Sequence, residues 1–311
     1  MQRFFKFLLK TFLILFLLLN VVVIFHAYKF THFYEMNDAA VKKQEAKNGW
    51  DKTSDLLFGF NAAKQPNTAP DTTYKSVNLR TADGLTLSGW LINVANPKGS
   101  VAMFHGHGSK KSAILSEAKG FNQLGYNTLL VDMRAHGASG GNTCTIGYKE
   151  AADVKTAYEY LQKTGEKNIL LYGISLGAAT VTKAINDYAL KPSKIMLEMP
   201  FASLPDAVEG RVKMMGLPVQ PVSTLLTFWG GTLHGFWAYN LRPADYVKKI
   251  TCPVLVHWGR HDPRVSEAET NDVFKNITTP KRLEVFEESG HESLLKKEPS
   301  KWMNSVATFL Q

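Results

Sequence analysis

Ser175 stands at the centre of Gly173-Ile174-Ser175-Leu176-Gly177, where the text "LLYGISLGAAT" passes from a short apolar run straight into small residues that suit a helix. A serine hydroxyl is a weak nucleophile at its ordinary pKa, so residue type alone carries no chemistry. Its setting does. The preceding "NILLYG" reads as a buried strand and the following "LGAATVTKAINDYAL" as a helix, which leaves five residues for the whole connection. A turn that tight strains its central residue, and glycines two positions away on each side let neighbouring backbone pack close. The hydroxyl is then lifted above the carboxyl end of a strand, beside the free N–H groups of a helix start. This is the G-x-S-x-G nucleophile elbow. A glycine-flanked helix cap also satisfies the bare pattern, but strand and helix in the right order favour the nucleophile.

Such a serine needs a base, and the base an orienting acid. Of nine histidines, four follow Ser175: His234, His257, His261 and His291. His291 lies in "RLEVFEESGHESL", after a final apolar strand and on a glycine-containing loop before the C-terminal helix. His257 is embedded in the strand "PVLVHWG" and reads as a core residue, while His234 in "GGTLHGFW" belongs to an insertion. For the acid, "HWGRHDPRV" places Asp262 three residues beyond Gly259, just past the same strand. Glu198, at the end of "KIMLEM", is the rival carboxylate, and position favours Asp262. Acyl transfer also requires N–H donors for a developing oxyanion. Leu176, directly after the serine, supplies one, and the loop "MFHGHGSKK" brings His107 as the second through its backbone N–H. The side chains of His105 and His107 also form an H-x-H pair, but no third ligand follows in the loop, so no metal and no cofactor are expected.

These residues must be held by regular elements, and the chain from Thr73 onward alternates strand and helix. "YKSVNLRTADGLTLSGWLINV" reads as two strands around a turn at Asp83-Gly84. "SVAMFHG", "NTLLVDMR", "NILLYG", "KIMLEM" and "PVLVHWG" are short apolar runs of the kind buried in a parallel sheet covered on both faces. Amphipathic stretches such as "YKEAADVKTAYEYLQK" separate them, which predicts right-handed crossovers and a doubly wound, mostly parallel α/β sheet. An insertion over about residues 200–246, rich in Met, Leu, Phe and Trp, reads either as a helical cap lining an acyl pocket or as a segment packing itself onto the core.

Composition bounds the rest. With 311 residues, 45% hydrophobic and 20% charged, one sizeable core is expected and general disorder is not. The two cysteines, Cys144 and Cys252, show neither disulfide-framework nor zinc spacing. A net charge of +9 is spread over scattered lysines without interleaved aromatics, so nucleic acid is not expected as a partner. Residues 3–25, "RFFKFLLKTFLILFLLLNVVVIF", are apolar apart from three early cations and Asn20. About 20 such residues span a bilayer core. The exit "VVVIFHAYKF" has no A-x-A cleavage pattern, which predicts an uncleaved signal anchor over 1–28 and a lipid bilayer as partner. Arg3, Lys6 and Lys10 argue for a cytoplasmic N-terminus and an extracytoplasmic catalytic domain, periplasmic in a bacterium, although Lys29, Lys42, Lys43 and Lys47 reduce the asymmetry. A partly helical stalk or linker is expected over 29–70, and the folded domain over 71–311.

"FHGHG" (104–108), "DMRAHGASGG" (132–141), "GISLG" (173–177), "PF" (200–201), "CPVLVHWGRHDPRV" (252–265) and "GHE" (290–292) occur together and in this order. In these motifs the chain resembles the α/β-hydrolase superfamily, specifically its membrane-anchored esterase and serine aminopeptidase-like, or prolyl-oligopeptidase-like, branch. The resemblance implies Ser175 as nucleophile, Asp262 as acid, His291 as base, and His107 and Leu176 as oxyanion donors. Relatives usually read R-G-H-G where this chain has Ala135 in place of the first glycine. Asp132 and Arg134 in that motif read as a structural ion pair. The expected activity is hydrolysis of carboxylic esters of a hydrophobic acyl group, with a serine peptidase on the same triad as runner-up. A catalytically silent membrane scaffold is the alternative of another class.

Overall fold

The computed structural model describes residues 1–35 and 49–311. Lys42, Lys43, Lys47 and the middle of the expected stalk therefore lie outside the described residues. Among the described residues ten strands are formed: β1 (Phe33–Tyr34), β2 (Ala62–Ala63), β3 (Lys75–Arg80), β4 (Thr86–Ile92), β5 (Ser100–Phe104), β6 (Asn127–Val131), β7 (Ile169–Ile174), β8 (Lys194–Glu198), β9 (Val254–Gly259) and β10 (Lys281–Phe286). The last eight make one sheet in the order β10-β9-β8-β7-β5-β6-β4-β3. β5 to β10 run parallel, and only β4 is antiparallel to its neighbours β3 and β6. The predicted doubly wound, mostly parallel sheet is the one observed, including the hairpin turn at Asp83-Gly84.

The apolar runs have a period-two logic. Ala102, Phe104, Leu129, Val131 and Leu171 point into one core, while Val101, Met103, Leu130, Leu170 and Tyr172 point into the other. Each core is closed by helices. The first lies under α4 (Ala151–Lys163) and α5 (Leu176–Tyr188), the second under α3 (Leu115–Gln123) and α11 (Pro299–Leu310). With both faces covered, alternation of polar and apolar residues disappears, which is why these strands read as continuous apolar text.

Between β8 and β9 the chain leaves the sheet to form α6 (Leu204–Met214), α7 (Val219–Thr232) and the short α8 (Pro243–Tyr246). Ser203 caps α6 by accepting from the Asp206 N–H. α9 (Glu267–Asn276) and α10 (Leu294–Lys297) complete the domain.

The N-terminus forms α1 (Gln2–Thr31), and α2 (Gly49–Phe58) precedes β2. α1 is long and apolar enough to cross a membrane, its most apolar 18-residue stretch having a mean hydropathy of 2.7. Its large side chains from Phe4 to Leu18 are exposed, whereas Val23, Ala27 and Thr31 are buried. Spaced by four, these three make a single stripe along one helix face. The chain leaving α1 then enters the domain instead of standing off it as a stalk. Phe33 is buried in the first core, β1 pairs with β2, the Thr31 carbonyl accepts from Cys144 N (2.8 Å), and Lys64 is buried against Ser139 O (2.9 Å). A buried Phe33 and a satisfied Cys144 N–H tie residues 31–35 to the sheet domain.

Candidate active site

β7 ends at Ile174 and α5 begins at Leu176, so Ser175 alone makes the corner. Its φ and ψ are 52° and −110°, a conformation L-residues rarely hold. The two flanking glycines are needed sterically. A Cβ on Gly177 would sit 2.2 Å from the Phe104 carbonyl oxygen, and one on Gly173 2.4 Å from Gly177 itself. Both are below any tolerated contact, so larger residues would push helix and strand apart. The Ser175 N–H is secured by the Glu198 carbonyl at 2.8 Å.

His291 lies on the loop after β10, and its Nε2 is 3.0 Å from Ser175 Oγ. Its Nδ1 is 2.7 Å from Asp262 Oδ2. A carboxylate can only accept, so the proton sits on Nδ1 and Nε2 is left free to accept from the serine hydroxyl. Asp262 follows β9; its side chain is fully buried and its other oxygen accepts the backbone N–H groups of Arg264 (2.7 Å) and Val265 (2.9 Å). The carboxylate is therefore fixed from both ends.

Glu198 takes no part in this line. Its Oε1 accepts from the Trp302 indole at 2.6 Å and lies 3.4 Å from His257 Nδ1, deep in the second core. His257 also bonds Ser305 Oγ at 2.9 Å, in keeping with a core residue.

The loop after β5 brings His105, Gly106 and His107 beside the serine, with Gly106 against Ser175 Cβ. His105 donates from Nδ1 to the Gly106 carbonyl (2.8 Å) and accepts the Met133 N–H at Nε2 (3.2 Å). His107 donates from Nε2 to the Phe30 carbonyl of α1 at 3.2 Å, its ring stacked on the Phe30 ring at 4.3 Å. Burial, reinforced by neighbouring His136, lowers the pKa of His105 to about 4 and that of His107 to about 3, so both rings are neutral near pH 7. His136 accepts the Gly108 N–H at 3.1 Å and steadies the same loop. Among the described residues no group of three or more His, Cys, Asp or Glu is arranged to hold a metal ion.

Asp132 and Arg134 are both in ion pairs, but not with each other. Asp132 binds the buried Lys111 Nζ at 2.5 Å, and Arg134 binds Asp153 at 2.7 Å and Asp83 at 2.9 Å. The tight turn separates their side chains, with Asp132 closing on the backbone of Gly137 and Ala138. Ala135 adopts φ 64° and is buried. That left-handed position explains a usual glycine there, and the methyl group holds it at a cost of about 1–2 kcal/mol.

A cavity of about 930 Å³ opens onto Ser175 and His291. The cap supplies Leu204, Val208, Val212 and Leu226, but α1 supplies His26, Ala27 and Phe30 as well. Every catalytic residue expected from the sequence lies beyond residue 70, yet α1 forms part of the cavity wall, and Asn20, the polar interruption of the apolar run, accepts the Trp229 indole of α7 through Oδ1 at 2.9 Å. Glu117 of α3 also lines the cavity; Ser293, two residues past His291, donates to it, and burial pushes its pKa up to about 7.

A family model described as serine aminopeptidase, S33, matches residues 95–237, from the strand before the His105–His107 loop to the middle of the cap. The esterase Pf2001 of Pyrococcus furiosus superposes with a TM-score of 0.66 at 26% identity, over 81% of this chain and 98% of that one. The uncharacterized protein YqkD of Bacillus subtilis is 24% identical over 236 residues, 75% of this chain and 77% of its own length. A carboxylesterase of the same bacterium is 24% identical over 226 residues, 68% of this chain and 92% of its own.

Proposed function

We propose that this chain, which has the α/β-hydrolase fold and is similar to the esterase and serine aminopeptidase-like branch of that superfamily, is a serine hydrolase cleaving carboxylic esters of a hydrophobic acyl group. The line Ser175 Oγ, His291 Nε2, His291 Nδ1, Asp262 Oδ2, with spacings of 3.0 and 2.7 Å, carries the reading. Ser175 attacks the acyl carbonyl carbon as His291 takes its proton, and Asp262 stabilises the imidazolium. The tetrahedral oxyanion receives the backbone N–H groups of Leu176 and His107. His291 then gives its proton to the departing alkoxide, which leaves an acyl-Ser175 ester. A water deprotonated by His291 attacks this ester, the acid departs, and Ser175 recovers its proton.

The apolar cap residues and Phe30 favour a hydrophobic acyl group over a polar one. Residues 1–28 anchor the enzyme in a membrane in a single pass, and the early cations Arg3, Lys6 and Lys10 favour an extracytoplasmic domain. The same machinery cleaves amides, and Glu292 at the cavity supplies a carboxylate for a free amino terminus, which makes a serine peptidase the second reading. A fluorophosphonate should label the full-length protein at Ser175 and nowhere else. Parallel p-nitrophenyl ester and aminoacyl-amide assays then divide esterase from peptidase. An unlabelled, folded protein would overturn both and leave a silent scaffold.

A further inference from the structure

We propose that the cap is itself seated in the membrane beside α1, and that the cavity takes its substrate laterally as a long-chain acyl ester resident in the bilayer. This deepens the serine hydrolase reading and rests on it. The geometry of α1 sets the depth. From Lys6 to His26 the helix rises about 30 Å, the thickness of a hydrocarbon core, with Lys6 and Lys10 able to extend their amines back to the surface. His26 then lies at the far interface, and Ala27 and Phe30, which line the cavity, stand within about 6 Å above it. The mouth of the cavity is at headgroup level.

The cap reaches lower. Trp229 of α7 bonds Asn20, about 9 Å below the level of His26. A shallow groove between α1 and the cap is lined by Phe16, Leu225, Phe228, Trp237 and Tyr239, and Phe16 is about 15 Å below that level. An extramembrane cap could not touch those positions of a spanning helix. The cap's composition fits the same placement. Residues 214–241 contain no Asp, Glu, Lys or Arg in 28 positions, although a fifth of the whole chain is charged. On its surface Met214, Met215, Leu217, Phe228, Leu233 and Trp237 are exposed. An apolar face carrying Trp and Tyr, continuous with a membrane-spanning helix, is suited to the lipid interface. A lipid in that leaflet can pass an acyl chain between α1 and the cap toward Ser175 without entering water.

The test uses the full chain reconstituted in phosphatidylcholine vesicles carrying a long-chain diacylglycerol, with p-nitrophenyl acetate as the soluble comparison. Leu217→Lys with Leu233→Lys changes the exposed face of the cap, outside both the cavity and the groove beside α1. Hydrolysis of the vesicle ester should fall about tenfold or more, because cations are driven out of the bilayer, while acetate hydrolysis stays within about twofold. Equal rates on both substrates before and after the change would overturn lateral access, as would a wild type that cleaves acetate but not the vesicle ester. A wild type inert on both esters would instead sink the hydrolase reading, and this one with it. Depth is read separately by a fluorophore on Trp237→Cys, the native cysteines being buried. Brominated lipid should quench it strongly and leave the same label on Lys163→Cys bright. No quenching at 237 would place the cap outside the bilayer.

Discussion

The turns at the carboxyl end of the sheet and the walls of the cavity above them are built on different principles. Ser175, Asp262 and His291 each sit within a few residues of a strand end, on β7, β9 and β10, and the adjoining strands β7, β8, β9 and β10 hold them in register. The walls come from α1, the cap and the loop after β5, which meet only through tertiary contacts such as Trp229 to Asn20 and His107 to Phe30. Backbone hydrogen bonds of one cooperative sheet position the first set. Side-chain packing between separately formed helices positions the second. Damage to the turns should therefore abolish turnover at constant fold, and damage to the walls should tune turnover or stability.

The largest effect tests the turns. Ser175→Ala should remain folded and lose about 10⁴-fold or more in kcat, and adding His291→Ala should cost little further, because members of one unit are non-additive. Near-additive losses would place the two in separate sites. Asp262→Asn should lose about 10⁴-fold in kcat with KM little changed, since an amide favours the wrong imidazole tautomer. Glu198→Gln, whose carboxylate faces Trp302, should cost far less; a larger loss than at Asp262 would make Glu198 the acid.

The same contrast explains what could be read from sequence. Strand ends and elbows are local: a buried strand is apolar text, and Gly173 and Gly177 are required by contacts within a few residues of the serine or with the adjoining strand. Asp262 and His291 were legible because each follows its strand directly. The role of α1 was not, because a helix apolar on nearly every side satisfies a bilayer by composition, and its docked face, with Val23, Ala27, Phe30 and Thr31, is not set apart from the rest by residue type. Glu117 was invisible for a related reason. In "SEAKGF" it looks like any surface helix residue, yet the fold buries it near Glu198 and against Ser293 of the loop carrying His291.

Glu117 lies where turns and walls meet, and its effect should be intermediate. Burial, and then the nearby Glu198, raises its pKa from 4.5 to about 7. The folded protein thus keeps this proton where the unfolded chain releases it. The contribution is fully present below about pH 4.5 and is lost as pH rises through about 7. Glu117→Gln cannot ionise, so relative to wild type its stability should rise across that window. Urea midpoints taken from pH 4.5 to 8.5 check this, and a difference constant with pH would show that Glu117 titrates normally.

The smallest effect tests whether the walls reach the chemistry at all. Phe30 stacks on the His107 ring at 4.3 Å, while its carbonyl accepts from the same ring. Phe30→Ala keeps the carbonyl and removes the stacking, an aromatic contact worth about 0.5–1.5 kcal/mol. If the anchor helix only bounds the acyl pocket, the loss should grow with acyl length and should spare p-nitrophenyl acetate, which is too short to touch that wall. If it also steadies the loop whose His107 N–H is proposed as an oxyanion donor, acetate should lose about fivefold in kcat, close to 1 kcal/mol, with KM nearly unchanged. We expect the second pattern, because His107 has both its ring face and its Nε2 proton committed to Phe30. Phe30→Tyr, which restores the stacking, should recover the acetate rate. An unchanged acetate kcat in Phe30→Ala would confine α1 to holding substrate and sever the proposed link between anchor and oxyanion loop.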